Sequence, residues 1–389
     1  MTLVLGAAPY QKTLAEKLMS VGMLRQLIEV VPKLEIREPD DEGTLKCVKT
    51  FPELALMKRV AWGIWRRFPA SVRPRPPMKL NSWAADRLMA KSIARCRIFH
   101  SCTAICLASL RAAKLQDAIT FVECASCHPR DWRKAAIEES ARFGASGRDG
   151  SGNHTEGMLR RMELEFVECD RIVVPSQVAQ RSFAEHGYGE KTVVVQTGVD
   201  AEFFSPGATV APQEATFRVC YVGRVEFAKG VGYLLEAWKR LGLARAELLL
   251  VGEVKPQVKS LLQGYENCGV RLAGMLSQSE VARRYRESNL FVMPSLNEGL
   301  AQVLLEAMAS GLPVVATDRT GASDCIEHGK EGFVVPARDA NTLADAILWC
   351  HKHREESRAM GKAARARIEN EFTLEHYNRR VIQMYRSLV

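Results

Sequence analysis

Short apolar segments that fit β-strands alternate with segments of helical periodicity along nearly all of this 389-residue chain. The predicted strands are Leu3–Gly6, Arg97–Phe99, Ala118–Val122, Arg171–Val174, Thr192–Gln196, Arg218–Val222, Glu247–Val251, Val270–Ala273, Leu290–Met293, Val314–Ala316 and Gly332–Val334. We expect helices of ten to fifteen residues between the later ones. Such alternation implies parallel sheets covered by helices on both faces. The length exceeds that at which a single core keeps growing. The sequence therefore predicts an α/β fold with two doubly wound, Rossmann-like domains.

The stretch from Gly198 to Gln213 separates the two series of strands. With its two glycines, Gly198 and Gly207, and the prolines Pro206 and Pro212, it is predicted to be the linker between an N-terminal domain, residues 1–197, and a C-terminal domain, residues 214–371. Residues 372–389 have apolar and aromatic side chains at helical spacing and are predicted to form a final helix. A helix that pairs two copies of the chain is the alternative. Ligands of open α/β sheets bind beyond the carboxyl ends of the strands, so two such domains would face each other across a ligand-binding cleft.

Composition favours an ordinary enzyme of the cytosol. Apolar residues make up 47% of the chain and charged residues 25%. The apolar stretch Ile98–Leu110 is too short to span a bilayer, and no secretory signal is visible. The eleven cysteines are odd in number and mostly isolated, which indicates reduced thiols. The segment Cys124-Ala-Ser-Cys127-His128 also matches a c-type haem attachment pattern, but haem attachment requires export and a zinc site requires a second pair of ligands. We therefore predict a cytoplasmic protein without a metal or cofactor.

The net charge of +9 is concentrated in one segment, Lys58–Arg97. This segment has eleven Lys or Arg residues against one acid, Asp86, and is interleaved with tryptophans and prolines. Basic aromatic helices of this kind suit an anionic membrane surface or a phosphate-bearing acceptor. A solvated face whose aromatics belong to the core is the alternative. No nucleic-acid recognition module accompanies the charge, so we do not expect a nucleic acid partner.

Two motifs carry the candidate chemistry. In PSLNEGLAQVLLEAMASGLPVVAT, residues 294–317, Glu298 and Glu306 would lie ~12 Å apart along a helix and could grip opposite ends of one elongated ligand. In VCYVGRVEFAKGVGYLLEAW, residues 219–238, Arg224 and Lys229 flank a glycine turn, an arrangement that suits a diphosphate. Taken alone, the two cations could be surface charges and Glu298 a helix cap. Glu306, within a small and apolar helix, is harder to explain without a partner.

These motifs resemble those of retaining GT-B glycosyltransferases of glycosyltransferase family 4. The resemblance covers nearly all of residues 171–389 and includes RIVVPS (171–176), TVVVQTGVDAEFF (192–204), the pairs Gly223-Arg224 and Lys229-Gly230, and VRLAGML (270–276). It implies a nucleotide-diphosphate sugar as donor substrate and a hydroxyl-bearing glycan or lipid-linked acceptor at the inner membrane face. It also implies a final helix that crosses back to the first domain.

The resemblance further implies roles for individual residues. Arg224 and Lys229 would neutralise the diphosphate, Glu306 would bind the ribose hydroxyls, Glu298 would contact the donor sugar, and His128 would polarise the donor or the acceptor. The other implied donor contacts are Gly223, Gly274, Met275, Leu276, Gly299, Leu300 and Ala301. The amides of residues 299–301 would act from the start of the helix.

The acceptor side is less well defined by the motifs. Gly6, Ala7 and Arg130 are its candidates, but Gly6-Ala7 stands where the family has a double-glycine loop. Leu300-Ala301 stands where a Phe-Gly pair is frequent, which could alter the choice of donor sugar. A catalytically silent relative that binds sugar nucleotides, and a GT-B sugar-nucleotide epimerase, remain the alternatives.

Overall fold

The computed structural model describes residues 3–5, 11–29, 48–50, 78–144, 155–207, 216–265 and 267–387. The strands are β1 Leu3–Leu5, β2 Leu24–Glu29, β3 Val48–Thr50, β4 Ile98–Cys102, β5 Ile119–Glu123, β6 Arg171–Val174, β7 Thr192–Val194, β8 Phe217–Val222, β9 Ala246–Val251, β10 Val270–Gly274, β11 Leu290–Met293, β12 Val314–Thr317 and β13 Gly332–Val335. The helices are α1 Gln11–Ser20, α2 Met78–Ser92, α3 Leu107–Lys114, α4 Pro129–Arg142, α5 Glu156–Glu168, α6 Gln177–Glu185, α7 Val231–Leu241, α8 Lys259–Gln263, α9 Gln278–Arg286, α10 Gln302–Ala309, α11 Ala340–Lys352, α12 Arg354–Glu371 and α13 Leu374–Ser387.

The strands form two sheets with the same winding. The first has the order β3-β2-β1-β4-β5-β6-β7 and the second β10-β9-β8-β11-β12-β13. The described registers in both are parallel, for example Ile98 beside Ile119 and Phe291 beside Val314. In each sheet the strand order reverses once, between β1 and β4 and between β8 and β11, which is the doubly wound Rossmann arrangement. The predicted fold class is confirmed.

Strands β2 and β3 were not predicted from the sequence. β2 reads LRQLIE, and its polar residues interrupt the apolar run expected of a strand buried in a parallel sheet. The structure accounts for one of them: the Gln26 amide donates to the Ser92 carbonyl at 3.1 Å and accepts from the Ala94 N–H at 2.9 Å. The predicted length of ten to fifteen residues was also too long for some helices between the later strands, because α8 has 5 residues and α10 has 8.

The chain divides into two compact units. The first comprises Met1–Cys124, Glu156–Val173 and Glu190–Val193, and the second comprises Ala125–Thr155, Val174–Gly189 and Val194–Val389. The second unit therefore contains α4 and α6 as well as the second sheet. The domain boundaries drawn from the sequence stay predictions.

Within the second unit, the start of the predicted linker pairs with the start of the final helix. The Val199 N–H donates to the Phe372 carbonyl at 2.8 Å, and the Leu374 N–H donates back to the Val199 carbonyl at 3.2 Å. Phe204 is 3% exposed and lies in the core of this unit. Residues 208–213 of the predicted linker lie outside the described residues. The helix predicted after Phe372 is present as α13, and its crossing to the first domain stays a prediction.

The basic segment is described only in part. Residues 58–77 lie outside the described residues, whereas α2 includes Trp83, which is 44% exposed. Among the described helices, none combines the length and apolarity needed to cross a bilayer. Contact with an anionic surface stays a prediction. Ten of the cysteines are described, and none of these ten is in a disulfide.

Candidate functional site

The two predicted motifs lie side by side at the switch point of the second sheet. One follows β8 and the other follows β11, and these neighbouring strands flank the point where the strand order reverses. The Leu296 N–H donates to the Ala228 carbonyl at 3.2 Å, which joins the two loops. At Gly230 the loops approach so closely that a Cβ would lie 1.8 Å from the Pro294 carbonyl oxygen, and φ is +69°. Only glycine fits there. Motifs separated by about seventy residues in the sequence thus form one continuous surface.

Lys229 and Glu298 are brought into direct contact. The Lys229 ammonium forms an ion pair with Glu298 Oε1, and the Ser295 hydroxyl donates to the same oxygen at 3.1 Å. The side chains are only 14% and 16% exposed, so the pair is screened less than one on the surface. An ammonium has three N–H donors, so a lysine bound to one carboxylate retains the capacity to bind an incoming anion.

Arg224 is held by residues that the sequence analysis missed. Its guanidinium lies 3.0 Å from Glu226 Oε1 and 5.8 Å from the centroid of the Trp132 ring. Glu226 is 3% exposed, and burial raises the pKa of its carboxyl, although Arg224 and Lys229 partly oppose this effect. The sequence signal was available, because Glu226 lies between the two cations in GRVEFAKG. Each candidate cation therefore has its own carboxylate partner.

Glu306 is a buried carboxyl on α10, the helix that follows the loop of Glu298. It is 9% exposed, and its Oε2 accepts a hydrogen bond from the Tyr285 hydroxyl of α9 at 3.2 Å. Burial raises the pKa of Glu306 to about 7, and the bond from Tyr285 opposes that shift. Near neutral pH this carboxyl exchanges readily between its neutral and ionised forms. An ionised carboxylate here would accept hydrogen bonds from hydroxyl groups of a ligand.

The helix was predicted to begin near Glu298, and this start is wrong. The helix α10 begins at Gln302, so the eight residues that separate the carboxylates are only partly helical. The Glu298 N–H donates to the Arg319 carbonyl at 2.8 Å, and the Ala301 N–H approaches the Thr320 carbonyl at 3.4 Å. These bonds to the loop after β12 hold residues 298–301 outside the helix. The amides of Gly299, Leu300 and Ala301 are therefore not the helix start that we expected, and a role for them in binding stays a prediction.

The raised pKa of Glu306 leads to a testable dependence of stability on pH. Because the folded pKa of about 7 exceeds the ordinary value of 4.5, the native state holds a proton that the unfolded chain releases. This contribution to stability is complete below pH 4.5 and is lost as the pH rises through 7, by about 3 kcal/mol in total. The side chain introduced by Glu306→Gln is neutral at every pH. Between pH 4.5 and 8, the free energy of unfolding of this variant should therefore fall by about 3 kcal/mol less than that of the wild type.

Chemical denaturation of both proteins at several pH values measures this difference. Burial also raises the pKa of Glu123, to about 7, in the first unit. Because Glu123 titrates in both proteins, the difference between them isolates Glu306. Parallel pH profiles for the two proteins would contradict the assignment.

His128 precedes α4 and lies beside the residues that contact the second motif. The neighbouring Cys127 thiol donates to the Glu298 carbonyl oxygen at 3.1 Å. His128 is 1% exposed, and its ring stacks on that of His186 with 3.8 Å between centroids. Arg130 is partly buried in the first turn of α4. The roles predicted for His128 and Arg130 remain predictions.

The remaining predicted contacts are spread around the second sheet. Gly274 ends β10 and accepts a hydrogen bond from the Gly252 N–H at 2.8 Å. Met275 is 79% exposed, whereas Leu276 packs against the core. Gly6 and Ala7 lie outside the described residues. No group of three or more His, Cys, Asp or Glu among the described residues is arranged to hold a metal ion.

The helix α4 is held along its length by residues that follow β8 and β13 of the second sheet. Near its start Trp132 packs with Ala228, and after its end the Phe143 ring stacks on Phe227 with 5.0 Å between centroids. Between them the buried Glu139 accepts hydrogen bonds from the Tyr233 hydroxyl at 2.8 Å and from Arg338 Nε at 2.6 Å. None of these partners was predicted, because their pairing joins residues about 90 and 200 positions apart.

Comparisons with known proteins show which family the second sheet and its loops resemble. Residues 216–353 match the family model described as "Glycosyl transferases group 1". The chain is 31% identical over 220 residues to the amylovoran biosynthesis glycosyltransferase AmsK of Erwinia amylovora, an alignment that covers 53% of this chain and 54% of AmsK. The chain thus spans about half the length of the curated relatives it matches.

Two solved structures resemble the fold. Sucrose-phosphate synthase from Thermosynechococcus elongatus superimposes with a TM-score of 0.69 at 21% identity and covers 100% of this chain and 99% of its own. Anabaena HepE in complex with UDP-glucose superimposes with a TM-score of 0.66 at 16% identity and covers 100% of both chains. At such identities the likeness shows the fold alone. Residues 216–353 are a domain of the glycosyl transferases group 1 family, in a chain that has the GT-B fold of two Rossmann-like domains.

Proposed function

We propose that the protein is a retaining glycosyltransferase that moves a sugar from a nucleotide-diphosphate donor to a hydroxyl group of an acceptor. The observation that carries the proposal is the joining of two charged loops at the switch point of the second sheet, where Lys229 contacts Glu298 and Arg224 contacts Glu226. Glu306 lies on α10, the helix that follows the second of these loops. Open α/β sheets bind nucleotides at this position.

The two cations would bind the diphosphate. Arg224 offers a planar set of donors whose direction is restrained by Glu226 and Trp132, and Lys229 offers a compact ammonium restrained by Glu298. Donors that are already oriented stabilise developing negative charge without reorganisation during the reaction. The positive charge required by the leaving group would thus come from side chains, which is why we propose a reaction that does not depend on a metal.

The two carboxylates would bind the sugars on either side of the diphosphate. Glu306 would accept hydrogen bonds from the ribose hydroxyls, and those bonds would favour its ionised form. Glu298 would contact the donor sugar while it stays in contact with Lys229. Binding by fixed acceptors on both sides would hold the anomeric carbon in place relative to the acceptor.

In the proposed reaction the bond between the anomeric carbon and the diphosphate oxygen breaks, and its electron pair goes to the leaving phosphate. The acceptor oxygen forms a bond to the anomeric carbon on the face that the diphosphate leaves. The acceptor proton passes to the departing phosphate oxygen. His128 would polarise the donor or the acceptor hydroxyl, and Arg130 would contact an anionic group on the acceptor side.

The names of the relatives narrow the substrates. AmsK is named for amylovoran biosynthesis, and the HepE complex contains UDP-glucose. The HepE complex favours a nucleotide-diphosphate sugar as donor. The name of AmsK favours a polysaccharide or glycolipid precursor as acceptor. A lipid-linked acceptor would agree with the basic segment Lys58–Arg97, through which the protein would approach an anionic membrane from the cytoplasm.

The proposal is tested by ligand binding followed by turnover. Thermal shift with UDP, GDP and ADP should identify one nucleotide that raises the melting temperature, because a ligand that binds only the native state stabilises it. The corresponding nucleotide sugars are then incubated with the protein, with and without polysaccharide fragments. Release of nucleoside diphosphate together with an α-linked product from an α-linked donor is expected. An isomerised nucleotide sugar would indicate an epimerase, and binding without turnover a catalytically silent relative.

A further inference from the structure

Three polar residues form a continuous hydrogen-bond network around His128. The backbone N–H of His128 donates to the Ser182 hydroxyl at 2.8 Å, and that hydroxyl donates to Asp131 Oδ2 at 2.7 Å. The other oxygen of Asp131 lies 2.8 Å from His186 Nε2. Asp131 thus joins the serine and the histidine, and all four residues belong to the second unit.

This arrangement differs from a hydrolytic triad. In a triad the histidine lies between the serine and the carboxylate, so that it can deprotonate the serine. Here the carboxylate lies in the middle and the serine hydroxyl points toward it. The network is therefore arranged to hold groups in place rather than to activate Ser182 as a nucleophile.

The group that the network holds is the imidazole of His128. His186 lies against this ring, with 3.8 Å between centroids and 19° between ring planes. The centroid of the Phe183 ring lies 5.2 Å from that of His128 with 78° between the ring planes, and the centroid of Tyr188 lies 5.9 Å away with 18° between planes. Because Asp131 binds His186 and anchors Ser182, one carboxylate fixes both the backbone and the stacking partner of His128.

We propose that Asp131, Ser182 and His186 are positioning residues, which orient the His128 ring for the transfer reaction. The proposal rests on the function proposed above and deepens it. His128 follows Cys127, whose thiol donates to the Glu298 carbonyl, so the network lies beside the second motif. A displacement of a reacting group by about 1 Å can lower turnover by about 100-fold.

The test compares Asp131→Asn with Glu138→Gln, a matched change of acid to amide on the same helix. Asp131→Asn should lower kcat by about 10- to 100-fold, with a donor KM within about twofold of the wild type. Glu138→Gln should retain the wild-type kcat. In a His128→Ala background, Asp131→Asn should lower kcat no further, because residues that act through one group are not additive.

The stacking contact is tested by two variants of His186. His186→Phe keeps an aromatic face against His128 and should stay within about threefold of the wild-type kcat, whereas His186→Ala should lose about 10- to 100-fold. Equal kcat values for His186→Phe and His186→Ala would overturn the proposal. This pair also decides the matter if Asp131→Asn fails to fold.

A readout independent of turnover separates this proposal from the proposed function. In nitrogen-15 NMR spectra of the full chain, the imidazole signals of both His128 and His186 should shift in Asp131→Asn and stay in place in Glu138→Gln. If the wild type transfers no sugar but these signals shift, the proposed function fails and the positioning network stands. Unmoved His128 signals in Asp131→Asn would overturn the network whatever the activity.

Discussion

Replacing Lys229 with alanine should lower kcat/KM for sugar transfer by about 100- to 1,000-fold. Removal of one preoriented donor from a developing negative charge typically costs this much. The substitution has a second effect here, because it leaves the Glu298 carboxylate without the cation that it contacts in the folded protein. That carboxylate would then repel the incoming diphosphate.

The second effect can be measured separately. The double variant Lys229→Ala with Glu298→Gln should bind the stabilising nucleoside diphosphate more tightly than Lys229→Ala alone, as measured by calorimetry. Lys330→Ala is the matched control, because it removes an exposed lysine that pairs with Glu327 on the surface. Near-normal kcat/KM in Lys229→Ala would refute the assignment of the diphosphate site, and equal binding by the single and double variants would refute the repulsion.

Glu306→Ala should weaken binding of the nucleoside diphosphate by about 100-fold. The substitution removes the acceptor proposed for the ribose hydroxyls, and hydrogen bonds to a charged group contribute about 1.5–3 kcal/mol each. It also leaves the buried Tyr285 hydroxyl without the carboxylate partner that it has in the folded protein.

The nucleotide itself supplies the control for this prediction. The 2′-deoxy form should bind the wild type more weakly than the ribose form, and Glu306→Ala should bind both forms with nearly equal affinity. Isothermal calorimetry with the nucleotide that gave the largest thermal shift measures all four combinations. If the variant still discriminates between the two forms as the wild type does, Glu306 does not contact the ribose.

Much of the fold follows from local sequence. The strand from Leu290 to Met293 is apolar at every position and was predicted with its correct bounds, as was the strand from Arg171 to Val174. Such runs are typical of strands buried in a parallel sheet. The strand from Leu24 to Glu29 escaped prediction because polar residues interrupt its apolar run, and one of them, Gln26, is satisfied by the end of α2 and the segment after it, a contact that local sequence does not contain.

The candidate site was predictable only in part for the same reason. Glycine turns and charged residues next to strand ends are visible in the sequence, so Arg224, Lys229, Glu298 and Glu306 could be selected. Their partners could not. Tyr285 binds Glu306 from 21 positions away, and Trp132 contacts Arg224 from the helix α4. These pairings therefore depend on tertiary packing.

The attachment of α4 to residues that follow β8 has a consequence for dissecting the protein. A recombinant fragment that begins at residue 214 would lack Trp132, Phe143 and Glu139 and would expose the apolar surface that they cover around Ala228, Phe227 and Tyr233. Exposed apolar patches of this kind promote self-association. A truncated version intended for crystallisation or inhibitor screening should therefore retain residues 125–144, or carry polar substitutions on that uncovered face.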